Sequence, residues 1–345
     1  MKKVTVIGKF ITGALAADGQ SIKTRIITNE LEKALGAEQV QRLDTYGWKK
    51  APLKLFLRTF SAVRNSANVV FMTDAGGIKV FPWLLLLANP FGKCALHYVV
   101  VGGWLIGYLQ KHRFIAGCLK RFQWIFVETE TMQAGMEALG FQNVYRMPNF
   151  KELPLLSEAD LVRCAEPYKF CTFSRVMEEK GIAEAVNAVA EVNRRYGRTV
   201  CKLDIYGQTD PAQTEWFDRL RNRFSPEIRY CGTVPYGQST DVVKEYHALL
   251  FPTKFYTEGI PGTVIDAYAA GVPVVASRWE SFDDVIVHEK TGIGYPFDQP
   301  EALTQILTEL IADPARIYNM KKNCLREAEK YTPEKGLTIL LSRLA

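Results

Sequence analysis

The chain has 345 residues, of which 48% are apolar and 23% charged, and its formal net charge is +6. That length exceeds what one ordinary hydrophobic core serves, so we expect two domains of moderate size. The balanced composition excludes a disordered or fibrous protein. The most apolar stretch, 80–92, contains a run of about ten apolar residues, half of what a membrane-spanning helix requires.

The amino terminus and the cysteines predict a cytoplasmic protein. MKKVTVIGKF leads directly into a strand-like segment, without the pattern of a secretory signal. The seven cysteines include no C-x-x-C pair, and their number is odd. We therefore expect reduced cysteines that serve as small core residues.

Strand and helix patterns alternate through the first part of the chain. A helix is predicted from about Ser21 to Leu35, where Gly36 ends it, and another is predicted to end near Leu139. The predicted strands are 4–8, 67–73, 95–103 and 124–128. This alternation predicts a parallel sheet covered by helices on both faces.

The segment 148–167 interrupts the pattern with three prolines and mixed charge, so we predict that it connects two domains. The alternation then resumes, with a helix at 181–197. The further predicted strands are 169–174, 200–207, 228–232, 247–252 and 272–277. The sequence thus predicts an α/β protein with two Rossmann-like parallel-sheet domains, 1–164 and 165–330. A C-terminal helix at 331–345 is placed so that it can cross back to the first domain.

Ligands of such sheets bind beyond the carboxyl ends of the strands, and the cleft between two domains is the natural site. The first loop of this kind, 8–21, is glycine-bearing but matches neither common phosphate-binding fingerprint. Gly19, next to a helix start, would let a phosphate approach backbone N–H groups. A flexible turn explains its glycines equally well.

The second loop, FSRVMEEKGI at 173–182, carries two cations. Ser174 and Arg175 end a strand, and Lys180 stands before a glycine and a helix. The guanidinium fork of arginine and the point charge of lysine would clamp a diphosphate. A solvated turn in which the cations pair with Glu178 or Glu179 is equally compatible with the spacing.

The third loop lies within HALLFPTKFYTEGIPGTVIDAYAAG, which places a strand, a loop and a helix in order. Pro261 suits a first helical turn, and the helix start offers unpaired N–H groups and a positive dipole end to an anion. Gly259 and Gly262 leave room for close approach. Asp266, one turn further, would accept bonds from sugar hydroxyls or only favour the helix dipole.

The pairing of SRVMEEKG with EGIPGTVIDAYAAGVPVVAS resembles the retaining glycosyltransferases of family 4, which have the GT-B fold. The resemblance is dense over about 168–340. In the first half it is limited to the β-α order and the first glycine loop. It implies that a nucleotide-diphosphate sugar binds in a central cleft. The first domain would face the acceptor, and the second would hold the donor.

The resemblance also implies three catalytic residues. Arg175 and Lys180 match the cations that neutralise the diphosphate and stabilise the departing nucleotide. Glu258 matches the first acid of the family's E-x7-E motif, which faces the transferred sugar. Asp266 stands where the second acid usually holds the ribose.

Further donor contacts follow from the same resemblance. Ser174 accompanies Arg175, and Gly19 matches the N-terminal loop that closes on the phosphates. Backbone of the third loop would meet phosphate and sugar through Gly259, Ile260, Pro261, Gly262 and Thr263. No D-x-D triplet occurs, which agrees with a metal-independent enzyme that needs no cofactor besides its nucleotide-sugar substrate. UDP is the expected nucleotide.

The chain departs from the family pattern at two places. The second acid is Asp266 rather than glutamate. An acceptor-side histidine is also missing, because the relevant strand ends VVVGGW and His97 lies several residues earlier, where a core role is favoured. In a retaining front-face reaction the leaving phosphate would then serve as the base.

Positive charge is concentrated in the first half, where residues 1–150 hold 19 Lys and Arg against 9 Asp and Glu. Segments 48–64 and 108–124 combine cations with apolar and aromatic residues, which predicts contact with a membrane surface. An ordinary helix with its apolar stripe toward the core explains the spacing equally well. No recognised nucleic-acid motif occurs, so nucleic acid is not an expected partner.

These observations favour a retaining, metal-independent hexosyltransferase at the cytoplasmic face of a membrane. Its substrates would be a nucleotide sugar and a glycan or lipid-linked acceptor, as in cell-surface polysaccharide synthesis. Two alternatives stay open, namely a nucleotide-sugar epimerase of the same fold and a non-catalytic nucleotide- or sugar-binding module.

Overall fold

The computed structural model describes residues 2–11, 19–235 and 237–344. It divides the chain into two compact units. The first comprises Met1–Lys151 and Tyr331–Ala345, and the second comprises Glu152–Lys330.

Within its described residues, the first unit contains a six-stranded parallel sheet in the order β2-β1-β3-β4-β5-β6. The strands are β1 (Lys2–Gly8), β2 (Val40–Asp44), β3 (Ser66–Phe71), β4 (Ala95–Val99), β5 (Trp124–Val127) and β6 (Val144–Arg146). The helices are α1 (Gly19–Leu35), α2 (Pro52–Arg64), α3 (Phe81–Ala88), α4 (Leu105–Lys111), α5 (Arg113–Leu119), α6 (Glu130–Ala138) and, from the carboxyl terminus, α14 (Pro333–Leu341).

Apolar residues on both faces of this sheet explain its two-sided helical cover. One cluster joins the sheet to the inner sides of α2, α3, α4, α5 and α6. The other joins it to α1 and α14. The runs of Val, Ile and Phe in the central strands are typical of parallel strands buried on both sides.

Within its described residues, the second unit contains a six-stranded parallel sheet in the order β12-β11-β10-β7-β8-β9. The strands are β7 (Tyr168–Phe173), β8 (Cys201–Tyr206), β9 (Ile228–Gly232), β10 (Ala248–Phe251), β11 (Val274–Ser277) and β12 (Gly292–Tyr295). The helices are α7 (Ile182–Tyr196), α8 (Thr214–Arg221), α9 (Ser239–Val243), α10 (Gly262–Ala269), α11 (Phe282–Val285), α12 (Ala302–Ala312) and α13 (Pro314–Ala328).

The predicted α/β class and all the predicted strands are confirmed, with shifts at their ends. The largest shift is in 95–103, where β4 ends at Val99 and Gly102 adopts a φ of 79° that a continuing strand does not use. Strands β2, β6 and β12 have no counterpart among the predicted strands. Their short, mixed sequences show weak alternation.

The segment predicted as a connection, 148–167, is divided between the units. The structure places the boundary between Lys151 and Glu152, earlier than the predicted 164/165. The residues that follow pack on the second unit: the Leu156 N–H donates to the Ala269 carbonyl at 3.1 Å, and Glu158 pairs with Lys322 at 2.8 Å.

The carboxyl-terminal helix α14 belongs to the first unit. Leu337 and Leu340 are buried there, and a Cβ on Gly336 would lie 2.1 Å from the Phe150 ring. This close approach explains a glycine in the middle of the helix. Across the described ranges, no helix is both long and apolar enough to pass through a bilayer.

Candidate donor site

Two loops meet at the point where the strand order of the second sheet reverses. From β7 the chain proceeds to β8 and β9 on one side, while β10 lies on the other side of β7. In open α/β sheets, ligands bind at such switch points beyond the carboxyl ends of the strands. The loop after β7 carries Ser174, Arg175 and Lys180, and the loop after β10 leads to Glu258.

Two glycines hold these loops in place. Gly181 follows Lys180 with a φ of 70°, and a Cβ there would lie 1.8 Å from the Pro252 carbonyl oxygen at the end of β10. Gly207, after β8, has a φ of 134°, and a Cβ there would lie 1.7 Å from the Ser174 carbonyl oxygen. Only glycine fits both the conformations and the space. The Lys254 N–H also donates to the Glu179 carbonyl at 2.8 Å, which ties the two loops directly.

The Lys180 ammonium forms an ion pair with the Glu258 carboxylate. Both side chains are mostly buried, at 18% and 16% exposure. Phe251 and Phe255 lie against the ammonium, with ring centroids 5.5 and 4.8 Å from Nζ. Thr253 donates from its hydroxyl to Glu258 at 3.2 Å. The structure therefore joins one predicted cation and the predicted sugar-facing acid, which are 78 residues apart in sequence.

Arg175 is the more accessible cation of the site, with about half of its side chain exposed. Its guanidinium lies 3.6 Å from the Asp210 carboxylate, a long, half-exposed pair that contributes little to stability. The Ser174 hydroxyl donates to the Arg175 carbonyl at 3.3 Å. The guanidinium thus remains accessible to an incoming anion.

Helix α10 begins four residues after Glu258, which is ion-paired with Lys180. Pro261 caps the helix from an extended conformation, with a ψ of 130°, and Gly262 is the first helical residue. The Pro261 carbonyl accepts the Val264 N–H at 3.0 Å, so this residue closes the first turn of α10 from the N-cap position. Gly259 and Ile260 are buried, while Gly262 and Thr263 are half-buried. The unpaired N–H groups of a helix start favour an anion here.

Asp266 lies one turn inside α10 and is only 3% exposed. Its carboxylate accepts a hydrogen bond from the Ser239 hydroxyl, at the start of α9, at 2.9 Å. This contact links two helices of the second unit. The structure thus shows a packing role for Asp266. The roles predicted from the sequence were a contact with the ribose or a favourable effect on the helix dipole.

The first unit contains the remaining predicted positions. Gly19 is the exposed first residue of α1, and residues 12–18 of the loop before it lie outside the described residues. His97 is fully buried on β4, as favoured from the sequence. Its Nε2 lies 3.0 Å from Asn68 Oδ1, and burial lowers its pKa to about 4.

Sequence reasoning missed Thr253, Asp210 and the two phenylalanines around Lys180. These residues show no motif, since each acts through a contact that only the folded chain creates. Among the described residues, no group of three or more His, Cys, Asp or Glu side chains is arranged to hold a metal ion.

Comparison with solved structures identifies the architecture. The HepE protein of Anabaena, solved with UDP and glucose, aligns over 100% of this chain and 99% of its own, with a TM-score of 0.76 and 13% identity. Sucrose-phosphate synthase from Thermosynechococcus elongatus aligns over 99% and 98%, with a TM-score of 0.75 and 14% identity. The chain has the GT-B fold.

The family match falls in the second unit of this GT-B chain. Residues 167–313 match the family described as Glycosyl transferases group 1. The lipopolysaccharide core biosynthesis mannosyltransferase LpcC of Rhizobium leguminosarum bv. viciae is 29% identical over 160 residues. That alignment spans 45% of this chain and 44% of the relative, less than half of either. The family match includes both loops of the candidate site.

Proposed function

We propose that this chain is a retaining, metal-independent glycosyltransferase that takes a sugar from a nucleotide-diphosphate sugar. The observation that carries the proposal is the ion pair of Lys180 with Glu258 at the switch point of the second sheet, on two loops of which one also carries Arg175 and the other leads to the start of α10. Two cations and a helix start suit a diphosphate, and a carboxylate next to them suits sugar hydroxyls.

UDP is the nucleotide that we propose. HepE of Anabaena was solved with UDP and glucose, and the pneumococcal O-GlcNAc transferase GtfA with UDP and GlcNAc. GtfA aligns over 86% of this chain and 60% of its own, with a TM-score of 0.66 and 17% identity. These similarities support the fold, and the site chemistry supports a nucleoside diphosphate.

In the proposed reaction, the bond between the anomeric carbon and the diphosphate oxygen breaks and its electron pair remains on that oxygen. Arg175, Lys180 and the N–H groups at the start of α10 would stabilise the negative charge that develops there. This is the work that a metal ion performs in other sites. The loops that carry these residues follow two neighbouring strands of one sheet, which lowers the cost of arranging them.

The acceptor hydroxyl would attack the anomeric carbon from the face that the leaving group vacates, which retains configuration. Its proton would pass to the departing phosphate oxygen. Glu258 would hold hydroxyls of the transferred sugar, and Asp266 the ribose. Within the second unit, the backbone from Gly259 to Thr263 and Ser174 would complete donor binding.

We propose a glycan or lipid-linked glycan as the acceptor, at the cytoplasmic face of a membrane during cell-surface polysaccharide synthesis. The similarity to a lipopolysaccharide core mannosyltransferase supports this proposal. A hexose is the expected transferred sugar.

The test is a screen of UDP-, GDP- and ADP-sugars by melting temperature, followed by release of free nucleotide. A ligand that binds the native state raises the melting temperature, and we expect UDP-sugars to do so. Slow donor hydrolysis, and transfer with retained anomeric configuration once an acceptor is present, would follow. Stabilisation without any release of nucleotide, whatever acceptor is offered, would support a binding module instead.

A further inference from the structure

One stretch of the first unit is almost free of negative charge. Between Thr45 and Val127 the sequence has eleven Lys and Arg and a single acid, Asp74. All eleven cations are exposed: Lys49, Lys50, Lys54, Arg58, Arg64, Lys79, Lys93, Lys111, Arg113, Lys120 and Arg121. None of them pairs with a carboxylate in the described parts of the chain. Their charge is therefore available to an external partner.

Large apolar side chains are exposed on the same stretch. Leu53 and Leu57 lie four residues apart on α2, and Trp83 and Leu87 do so on α3. Phe91 follows α3 with 84% exposure, and Phe114 on α5 is 70% exposed. Scattered exposed apolar residues are normal, but six on neighbouring segments indicate an interaction surface.

The fold brings these side chains to one side of the sheet. Helix α3 contacts both α2 and α5. The inner residues of all three helices, such as Leu55, Leu85 and Ile115, belong to a single buried cluster on one face of the sheet. Their outer residues therefore face solvent together. We call Leu53, Leu57, Trp83, Leu87, Phe91 and Phe114, with the eleven cations, the basic apolar surface.

Segment 48–64 was interpreted in two ways, as a membrane contact and as a helix with its apolar stripe toward the core, and the structure assigns different residues to each. Leu55, Thr59, Ala62 and Val63 face the core, as an ordinary amphipathic helix requires. The exposed Leu53 and Leu57 lie on the opposite side, next to Lys54 and Arg58. The helix thus has a core-facing apolar side and a second, outward one. Packing against the core explains the core-facing side. It does not explain why Leu53 and Leu57 are apolar on the outward side.

We propose that the basic apolar surface docks the chain on an anionic lipid bilayer. Exposed leucine and aromatic side chains would enter the headgroup region, while lysine and arginine contact acidic headgroups. The charge and the apolar side chains of this surface distinguish a bilayer from other possible partners. A second copy of this chain would bring eleven like charges against these eleven, and like charges repel. A nucleic acid would match the charge but would leave Leu53, Leu57 and Leu87 in water.

The test is cosedimentation of the whole chain with vesicles of phosphatidylcholine alone, and of phosphatidylcholine mixed with phosphatidylglycerol. We expect binding to the mixed vesicles, weakening with added salt, and little binding to phosphatidylcholine. Two variants separate the contributions, Leu53→Ser/Leu57→Ser/Phe91→Ser/Phe114→Ser and Lys54→Gln/Arg58→Gln/Lys93→Gln/Arg113→Gln. The charge variant should bind at least about a hundredfold more weakly, since each cation near an acidic surface contributes roughly fivefold.

A matched control is Leu155→Ser/Lys202→Gln, which alters an exposed leucine and an exposed lysine in the second unit. It should bind vesicles like the wild type. All variants should bind UDP equally, so failure of docking is distinguishable from failure of the proposed enzymatic function. The proposal is overturned if mixed vesicles do not bind the chain or if both surface variants bind them normally. It is equally overturned if single-stranded RNA competes the chain off the vesicles at equal charge concentration, or if the wild type dimerises through this surface.

Discussion

The Lys180 ammonium and the Glu258 carboxylate are ion-paired, although each belongs to a different loop of the second sheet. Substitutions of the two residues should therefore affect UDP binding and sugar transfer differently. Lys180→Ala should weaken UDP binding and reduce transfer about a hundredfold or more, because it removes a charge from the developing phosphate anion. Glu258→Gln should reduce transfer while UDP, which has no sugar, binds nearly as before. Isothermal titration with UDP and the transfer rate check both.

The control for Lys180→Ala is Lys202→Ala, an exposed lysine near the amino end of β8. It changes net charge equally and should leave both quantities unchanged. Equal loss of UDP affinity in Glu258→Gln would contradict the assignment of Glu258 to the sugar.

Gly181 and Gly197 provide a matched pair of substitutions. Both have left-handed conformations, with φ of 70° and 63°, and both flank α7. Gly197→Ala meets nothing within 4 Å and should cost about 1 kcal/mol from the backbone alone. Gly181→Ala would also collide with the Pro252 carbonyl, so it should lower the melting temperature much more and impair UDP binding. Similar melting temperatures for the two variants would show that the two loops are not held together as the structure shows.

Asp266 has a packing contact with Ser239 and a proposed contact with the ribose. Ser239→Ala should cost about 1–3 kcal/mol of stability, since it leaves the buried carboxylate without that donor. Asp266→Asn should weaken UDP binding about tenfold if the carboxylate also holds the ribose, the loss expected for a hydrogen bond to a charged group. Unchanged UDP affinity together with a lowered melting temperature would leave only the packing role.

Two buried histidines predict a loss of stability in acid. Burial lowers the pKa of His97 and His247 to about 4, against 6.5 in an exposed chain. Between these values the unfolded chain binds more protons than the folded one, so stability rises with pH. Stability should be fully present above pH 6.5 and decline as the pH falls toward 4. Melting temperatures measured over this interval test the sign.

His97→Asn should flatten this dependence in the acid range, because it removes one of the two buried imidazoles. The effect of each buried histidine is at most about 3 kcal/mol, from a pKa difference near two and a half units. An unaltered pH profile in His97→Asn would mean that its imidazole does not control acid stability.

Sequence patterns predicted most of the strands and both site loops, because buried parallel strands and helix starts have local signatures. Contacts between residues that are distant in the sequence have no such local signature. Ser239 and Asp266 are 27 residues apart, and neither sequence context indicates the other. Likewise the exposed Leu53 and the buried Leu55 are chemically alike, and only the packing of α2 against the core distinguishes them. Residues 152–164 have no regular sequence pattern, and their place in the second unit follows from what they pack against.

The measurement that tests the central claim most directly is titration of UDP into the wild type and Arg175→Ala. Arg175 is half exposed, and its pair with Asp210 spans 3.6 Å, so the substitution should leave the melting temperature of the free protein nearly unchanged. The account predicts saturable UDP binding by the wild type and an affinity at least about tenfold weaker in the variant, the loss of one charge-assisted contact. Equal UDP affinity in the two proteins, or a wild type that binds no nucleoside diphosphate, would contradict it.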